Sequence, residues 1–306
     1  MTGRALVIGY GSIGIRHTRV LEELGYDVSV VSRRGEAGGR RIFASLEKAN
    51  GPFDYAVIAS ETANHFVHLA GLAMQGHRGD VVIEKPLFAV PQSIPTHSFR
   101  HAGVGYNLRF HPAVQAMRAA IAGRSVQMVE LSVGQWLGDW RPGRETKDTY
   151  SATRADGGGV LRDLSHELDL AIYLFGPWKD VTARGGRFGD VTKDADDGWG
   201  ILLSCERCPL VVITLNYFDR VGRRAITVQA EGQTFHADLV ANVLDINGRR
   251  EQTFALKRDE TYAAMHRAFH DGSPEICSLD QGLVICGLVE AIETAQRDRR
   301  WIDRVA

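Results

Sequence analysis

The sequence predicts an α/β domain on a parallel sheet, followed by an α+β domain whose strands pair mainly antiparallel. Three observations carry this. Over the first hundred residues, short apolar, β-branched runs alternate with helical patterns, as a parallel sheet with crossover helices requires. After about residue 110, apolar and polar residues begin to alternate strictly, the period of strands with one solvated face. A chain of 306 residues also exceeds what one core ordinarily holds. The division is expected at residue 110, giving domains 1–110 and 111–306.

In the first domain the strands are expected at 5–9, 27–32, 55–59, 81–84 and 103–107. A helix over 13–24, with charged and apolar faces, ends at Gly25, and a second over 62–74 ends at Gly76. Pro91 and Pro95 leave any helix in 87–102 short or broken. In the second domain Val129, Leu131 and Val133 alternate with Glu130, Ser132 and Gly134. The pattern returns at Val211, Ile213, Leu215 and Tyr217, and again at Ile226, Val228 and Ala230. Turns such as Asp245-Ile246-Asn247-Gly248 connect such strands. Helical patterns near 259–270 and 279–296 close the chain.

Composition narrows the partners. With 44% hydrophobic and 24% charged residues and a net charge of −1, nothing global draws the chain to nucleic acid or to a membrane surface. No apolar run approaches the roughly 18 residues a membrane span needs. The N-terminus runs directly into Ala5-Leu6-Val7-Ile8, leaving no room for a secretion signal, so a cytoplasmic location is expected. Of the four cysteines, Cys205 and Cys208 form a single C-x-x-C read as a hairpin turn; no metal site is expected without a second ligand pair.

Gly9-Tyr10-Gly11-Ser12-Ile13-Gly14 fits G-x-G-x-x-G, after a strand and opening a helix. In that context the glycines allow a tight turn, close backbone approach to a pyrophosphate, and close helix packing, and the helix N-terminus holds the anion. This is a Rossmann-type dinucleotide site. NAD sites commonly place Asp or Glu at the end of the second strand; here Ser32-Arg33-Arg34 stands there, suited to a 2′-phosphate. NADP(H) is expected to be preferred, with NAD(H) possible; a solvated basic loop is the plainer alternative.

Two further motifs carry chemistry. Glu84-Lys85-Pro86 puts a lysine at a strand's carboxyl end, the ligand edge of an open parallel sheet, where it can orient or polarise a substrate oxygen; alone it could equally be a surface charge. Gly157-Gly158-Gly159 precedes a helical stretch with Leu161, Leu164, Leu168, Ile172 and Phe175 on one stripe. Asp163, His166, Asp169 and Tyr173 fall on the other side, which reads as an acid/base pair or as an ordinary solvated face.

Taken with Thr62-Ala63-Asn64-His65 and the junction Tyr106-Asn107-Leu108-Arg109-Phe110, these motifs resemble the Gfo/Idh/MocA family of oxidoreductases, the glucose–fructose oxidoreductase and inositol dehydrogenase type, over nearly the whole chain. The resemblance implies a Rossmann domain, then an α+β domain with a large, mostly antiparallel open sheet, and a homodimer or homotetramer. It implies that Lys85 polarises the substrate oxygen, that His166 is the acid/base, and that Asp163 supports them. Ser60, Thr62, Asn64 and His65 would lie beside the cofactor and Glu84 near the nicotinamide ribose. Two departures are visible: Ser60-Glu61 replaces the family's common Thr-Pro, and the segment between Pro86 and Val104 is short.

The substrate is expected to be a sugar or sugar nucleotide. Trp140, Arg141, Arg144, Lys147, Tyr150 and Arg154 precede the glycines, a mixture of rings for sugar faces and cations for phosphates or carboxylates. With Tyr106, Arg109 and Asp169 they are the substrate-binding candidates. The Trp140-Arg141-Pro142-Gly143-Arg144 stretch is similar to family members of bacterial surface-glycan and nonulosonic-acid pathways. A solvated basic loop or an oligomer contact fits these residues as well. A non-catalytic dinucleotide or sugar sensor and an NAD-dependent glycoside-cleaving enzyme are the alternative functions.

Overall fold

The computed structural model describes residues 3–33, 37–140, 143 and 145–304. In chain order it begins with β1 (Gly3–Ile8), α1 (Ser12–Glu23), β2 (Tyr26–Val31), β3 (Ile42–Phe43), β4 (Tyr55–Ile58), α2 (His65–Met74), β5 (Asp80–Ile83) and β6 (Ala102–Val104). There follow α3 (Pro112–Ala120), β7 (Val126–Gly134), α4 (Val160–Asp163), α5 (His166–Phe175), β8 (Trp178–Gly186), β9 (Gly198–Cys205) and β10 (Cys208–Asn216). The chain then forms β11 (Arg223–Ala230), β12 (Gln233–Asp238), β13 (Val243–Ile246) and β14 (Arg249–Thr253). It closes with α6 (Glu260–Asp271), β15 (Cys277–Ser278), α7 (Leu279–Asp298) and β16 (Ile302–Asp303).

These elements form two units, Met1–Phe110 with Lys257–Cys286, and His111–Leu256 with Gly287–Ala306. The sequence reading put everything after 110 in the second domain; residues 257–286 instead return to the first. They do so because Met265 and Phe269 of α6 join the core of Val7, Tyr55 and Val57, and β15 pairs with β6.

The first unit is a seven-stranded sheet in the order β15-β6-β5-β4-β1-β2-β3, parallel except where β15 pairs with β6. Every residue of β4, and Ala5 to Ile8 and Val81 to Ile83 of its neighbours, is at most 1% exposed. Covered on both faces, these strands read as unbroken apolar runs. The order reverses between β1 and β4, so the carboxyl ends of β1, β4 and β5 flank the switch point where such sheets bind ligands.

The second unit carries nine strands in the order β14-β13-β12-β11-β7-β10-β9-β8-β16. The expected alternation is realised: Val129, Leu131, Val133, Val211, Ile213, Leu215, Ile226 and Val228 are all at most 1% exposed. All pairs are antiparallel except β7 with β10. The link from β10 to β11 passes the end of β7, so the two neighbours of β7 run in opposite directions and one must be parallel to it. Asn247 and Gly248 turn β13 into β14 with φ of 52° and 75°, the left-handed pair a two-residue hairpin uses.

The leucine-striped stretch departs from expectation. It is not one amphipathic helix: Leu164, at φ −102° and ψ 29°, breaks it into α4 and α5. Apart from half-buried Tyr173, all of α5 is buried, His166, Glu167 and Asp169 included. The polar side is therefore lined by protein, and Glu167 is paired with Arg224 of β11 at 2.8 Å.

Candidate functional site

In the first unit the glycine motif makes an open cradle. Gly9 sits at φ 99°, and a Cβ there would lie 2.6 Å from the Ala59 carbonyl oxygen. A Cβ on Gly14 would lie 2.0 Å from the Gly9 oxygen, so α1 could not pack against β1 with any larger residue. At Gly11 a Cβ would meet nothing within 4 Å. Gly11 is the N-cap of α1, no side chain caps that end, and its first turn carries no acidic residue. Uncapped N–H groups beside open space are what a pyrophosphate needs, so the residues fit a dinucleotide. Ser12 is exposed and Tyr10 and Ile13 are half-buried around this turn.

At the end of β2, Ser32 is half-buried with its N–H on the Phe43 carbonyl at 2.9 Å, and Arg33 is exposed. Arg34 lies outside the described residues. Arg40, which sequence reasoning passed over, reaches the Tyr10 hydroxyl at 3.3 Å while Glu22 holds it at 2.5 and 2.7 Å.

The turn after β4 is an internal clamp. His65 is 1% exposed, with Nε2 3.1 Å from the Ser60 carbonyl and Nδ1 3.1 Å from those of Pro86 and Leu87. Burial holds its pKa below the usual range. Ser60 Oγ meets His68 at 2.9 Å, Thr62 is buried, and Asn64 donates to Glu61 at 3.1 Å. The turn thus ties the carboxyl end of β4 to the chain after β5.

Glu84 and Lys85 leave β5 at that same edge. Glu84 is 7% exposed, and burial opposes its charge. The hydrogen bond from His17 Nε2 at 2.8 Å and nearby Lys85 outweigh this and hold its carboxyl below the ordinary range. Gly105 leaves room for it, since a Cβ there would stand 3.1 Å from Glu84 Oε1. Lys85 is half-buried, and its peptide bond to Pro86 is cis.

Two substrate candidates are buried within the first unit. Arg109 is 1% exposed and donates to the Ile276 carbonyl at 3.2 Å and Gln281 Oε1 at 2.9 Å, holding the returning segment to its own unit. Tyr106 is equally buried. The Arg109 acceptors lie far along the chain, so nothing near it in sequence separates it from a ligand-binding arginine.

In the second unit Asp163 accepts from the hydroxyls of Tyr150 and Tyr217, each at 2.6 Å. Tyr217 is fully buried, and burial first, then the Asp163 charge, push its pKa well up. Trp140 meets Tyr217 edge-on, with centroids 5.5 Å apart, and its buried Nε1 has no hydrogen-bond partner among the described residues. His166 is 9% exposed and Asp169 wholly buried. Arg154 is exposed, its N–H bound to Asp194 at 2.7 Å, and Lys147 pairs with Asp190 at 2.8 Å. Arg141 and Arg144 lie outside the described residues.

The glycine triplet approaches its own chain. A Cβ on Gly158 would be 2.1 Å from the Tyr150 carbonyl oxygen, and one on Gly159 2.2 Å from Asp196 Oδ1. Asp196, from a distant loop, caps α4 by accepting from the Leu161 N–H at 2.9 Å and holds Trp199 at 2.7 Å. Among the described residues no cluster could hold a metal ion. Cys205 and Cys208 face each other across the β9–β10 hairpin, and burial pushes the Cys205 thiol up to about 12.

Residues 114–236 match the family model of the GFO/IDH/MocA C-terminal domain. That match lies within the second unit, and gives it the C-terminal domain type of the Gfo/Idh/MocA proteins. No curated protein matches it. Among solved structures, GenD2 from gentamicin A biosynthesis, in complex with NAD, is 20% identical with a TM-score of 0.82, over 99% of this chain and 96% of that one. The WlbA dehydrogenase of Bordetella pertussis, solved with NADH and UDP-GlcNAcA, is 23% identical with a TM-score of 0.79, over 99% of both chains. A levoglucosan dehydrogenase in complex with NADH is 15% identical with a TM-score of 0.83, over 99% of both. At these identities the likeness is one of fold.

Proposed function

We propose that the chain is an NADP-preferring oxidoreductase that moves hydride to or from a hydroxyl or carbonyl carbon of a sugar or sugar nucleotide. The observation that carries this is the cradle at Gly11: open backbone at an uncapped helix start, at the switch point of a parallel sheet, two strands from Lys85. NAD or NADH in GenD2 and WlbA, with a UDP-sugar in the latter, supports the dinucleotide and the substrate class.

Bound there, the dinucleotide supplies or takes up the hydride. The backbone of Gly9 to Gly14 would hold the pyrophosphate, and exposed Arg33 the 2′-phosphate. Lys85 orients the substrate oxygen. His166 takes the hydroxyl proton in oxidation and returns it in reduction. Asp163, held by two tyrosine hydroxyls, supports this exchange as a fixed acceptor. Trp140, Tyr150, Arg154 and Asp169 remain the substrate candidates, with Tyr106 and Arg109 buried in the first unit.

The test measures NADPH and NADH affinity, then follows absorbance at 340 nm with a panel of sugars, sugar acids and UDP-sugars. NADPH should bind more tightly, and Arg33→Ala should remove most of the difference, about 1.5–3 kcal/mol for a charge-assisted contact. Equal wild-type affinities would end the NADP preference. Tight binding without turnover of any panel member would favour the sensor.

A further inference from the structure

The first unit buries a line of polar side chains that the proposed hydride chemistry does not use. Tyr55 on β4 has its hydroxyl 2.8 Å from Nδ1 of His266 on α6. Nε2 of His266 lies 2.9 Å from Nδ1 of His17 on α1. Nε2 of His17 lies 2.8 Å from Oε1 of Glu84, and the other Glu84 oxygen accepts from the Lys85 N–H at 3.3 Å. Tyr55, His17 and His266 are wholly buried.

The chemistry fixes a direction. A carboxylate only accepts, so His17 donates from Nε2. A neutral His17 must then accept at Nδ1, which makes His266 the donor from Nε2 and an acceptor at Nδ1. Tyr55 closes the line as its donor. With both rings neutral, this is the one arrangement that satisfies every group, since reversing either ring would leave two acceptors or two protons facing each other in the core. Burial keeps His266 far below the ordinary imidazole range, in keeping with a neutral ring.

Placement gives the line a use. Its far end is Glu84, at the carboxyl edge on the β5 side of the switch point, while Arg33 marks the β2 side. Its middle is His17, on the buried face of the helix that begins at the cradle. A dinucleotide spreads across both sides of such a switch point. The line thus joins the cradle helix to the strand end that must receive the dinucleotide's second half.

We infer that Tyr55, His266 and His17 are positioning residues: a one-way hydrogen-bond chain that fixes the Glu84 carboxylate relative to the glycine cradle and thereby sets dinucleotide affinity. This rests on the dinucleotide reading above. It also gives residues 257–286 a role in the site, because α6 contributes a middle link.

The test titrates NADPH and NADH against the wild type, His17→Leu, His17→Gln and Tyr55→Phe, and repeats His17→Leu in a Glu84→Gln background. His17→Leu should weaken binding about 10- to 100-fold, the range for a hydrogen bond to a charged group. His17→Gln, whose amide can still donate to Glu84, should recover most of it, and Tyr55→Phe should lose several-fold. In Glu84→Gln the His17→Leu change should add little. Nitrogen NMR of the wild type should find both imidazoles neutral and protonated at Nε2, a readout that survives if His17→Leu fails to fold. Lower melting temperatures with unchanged affinity overturn the chain's role, as does a proton on Nδ1 of either ring. A wild type that binds neither dinucleotide overturns the functional reading itself, and the affinity claim with it.

Discussion

Lys85 leaves the carboxyl end of β5, and His166 opens α5 with 9% of its surface exposed. A positioned acid/base contributes about 10²–10⁴-fold, so His166→Ala should lower kcat by that order while NADPH still binds. Lys85→Ala, which removes the proposed orienting group, should lower kcat in the same assay. Near-wild-type turnover by His166→Ala would remove the mechanism. At this scale the sequence showed residue types and missed their surroundings. Lys85, Asp163 and His166 stood out because each lies in a motif, but the tyrosines that hold Asp163 come from the loop at 150 and from the residue after β10. Arg109 looked like a ligand cation because its true acceptors lie more than 160 residues away.

The turn from β1 into α1 shows why one motif holds two kinds of glycine. Gly14 is fixed by packing: its Cβ would stand 2.0 Å from a backbone oxygen, and neither β1 nor α1 can give way cheaply. Gly14→Ala should therefore destabilise the unit by several degrees of melting temperature. Gly11 has an ordinary φ of −81° and nothing near its Cβ, so Gly11→Ala should leave melting almost unchanged and weaken dinucleotide binding. Paired melting and titration curves check this; equal loss of stability in both variants would show the cradle to be only a packing turn. Strand and helix positions in this half were legible because a buried parallel sheet writes itself as unbroken apolar runs between helices closed by Gly25 and Gly76. The break at Leu164 was not, since the leucine spacing continues across it; the Asp196 cap that fixes α4 lies 33 residues beyond Asp163.

Across the whole molecule, what the sequence hid is topology. The period of 2 marks β7, β10 and β11 but carries no pairing order, so the parallel β7–β10 pair was invisible. The return of α6 and β15 to the first unit was equally silent, although it brings His266 into that core. That burial has a consequence for stability. His65 and His266 are at most 1% exposed, and desolvation depresses the pKa of both, as it does for His68, His77 and His111. Below the unfolded value of about 6.5 the unfolded chain takes up protons that the native rings refuse, so protons favour unfolding. The stability from these rings is complete above that value and is lost as pH falls towards the depressed native values. Each pH unit of depression is worth about 1.4 kcal/mol per ring. Glu84, also depressed, adds loss of the same sign only below the carboxylate range, and buried Asp196, whose pKa is raised, acts oppositely there. Melting temperature should thus be flat from about pH 8 to 7 and fall steadily between about 6.5 and 5. In His65→Gln, which keeps a polar contact without a titrating ring, that fall should be shallower even though the variant is less stable at pH 7.5. A wild-type melting temperature unchanged between pH 7 and 5 would mean that the native rings protonate in place, against the neutral state their burial assigns them.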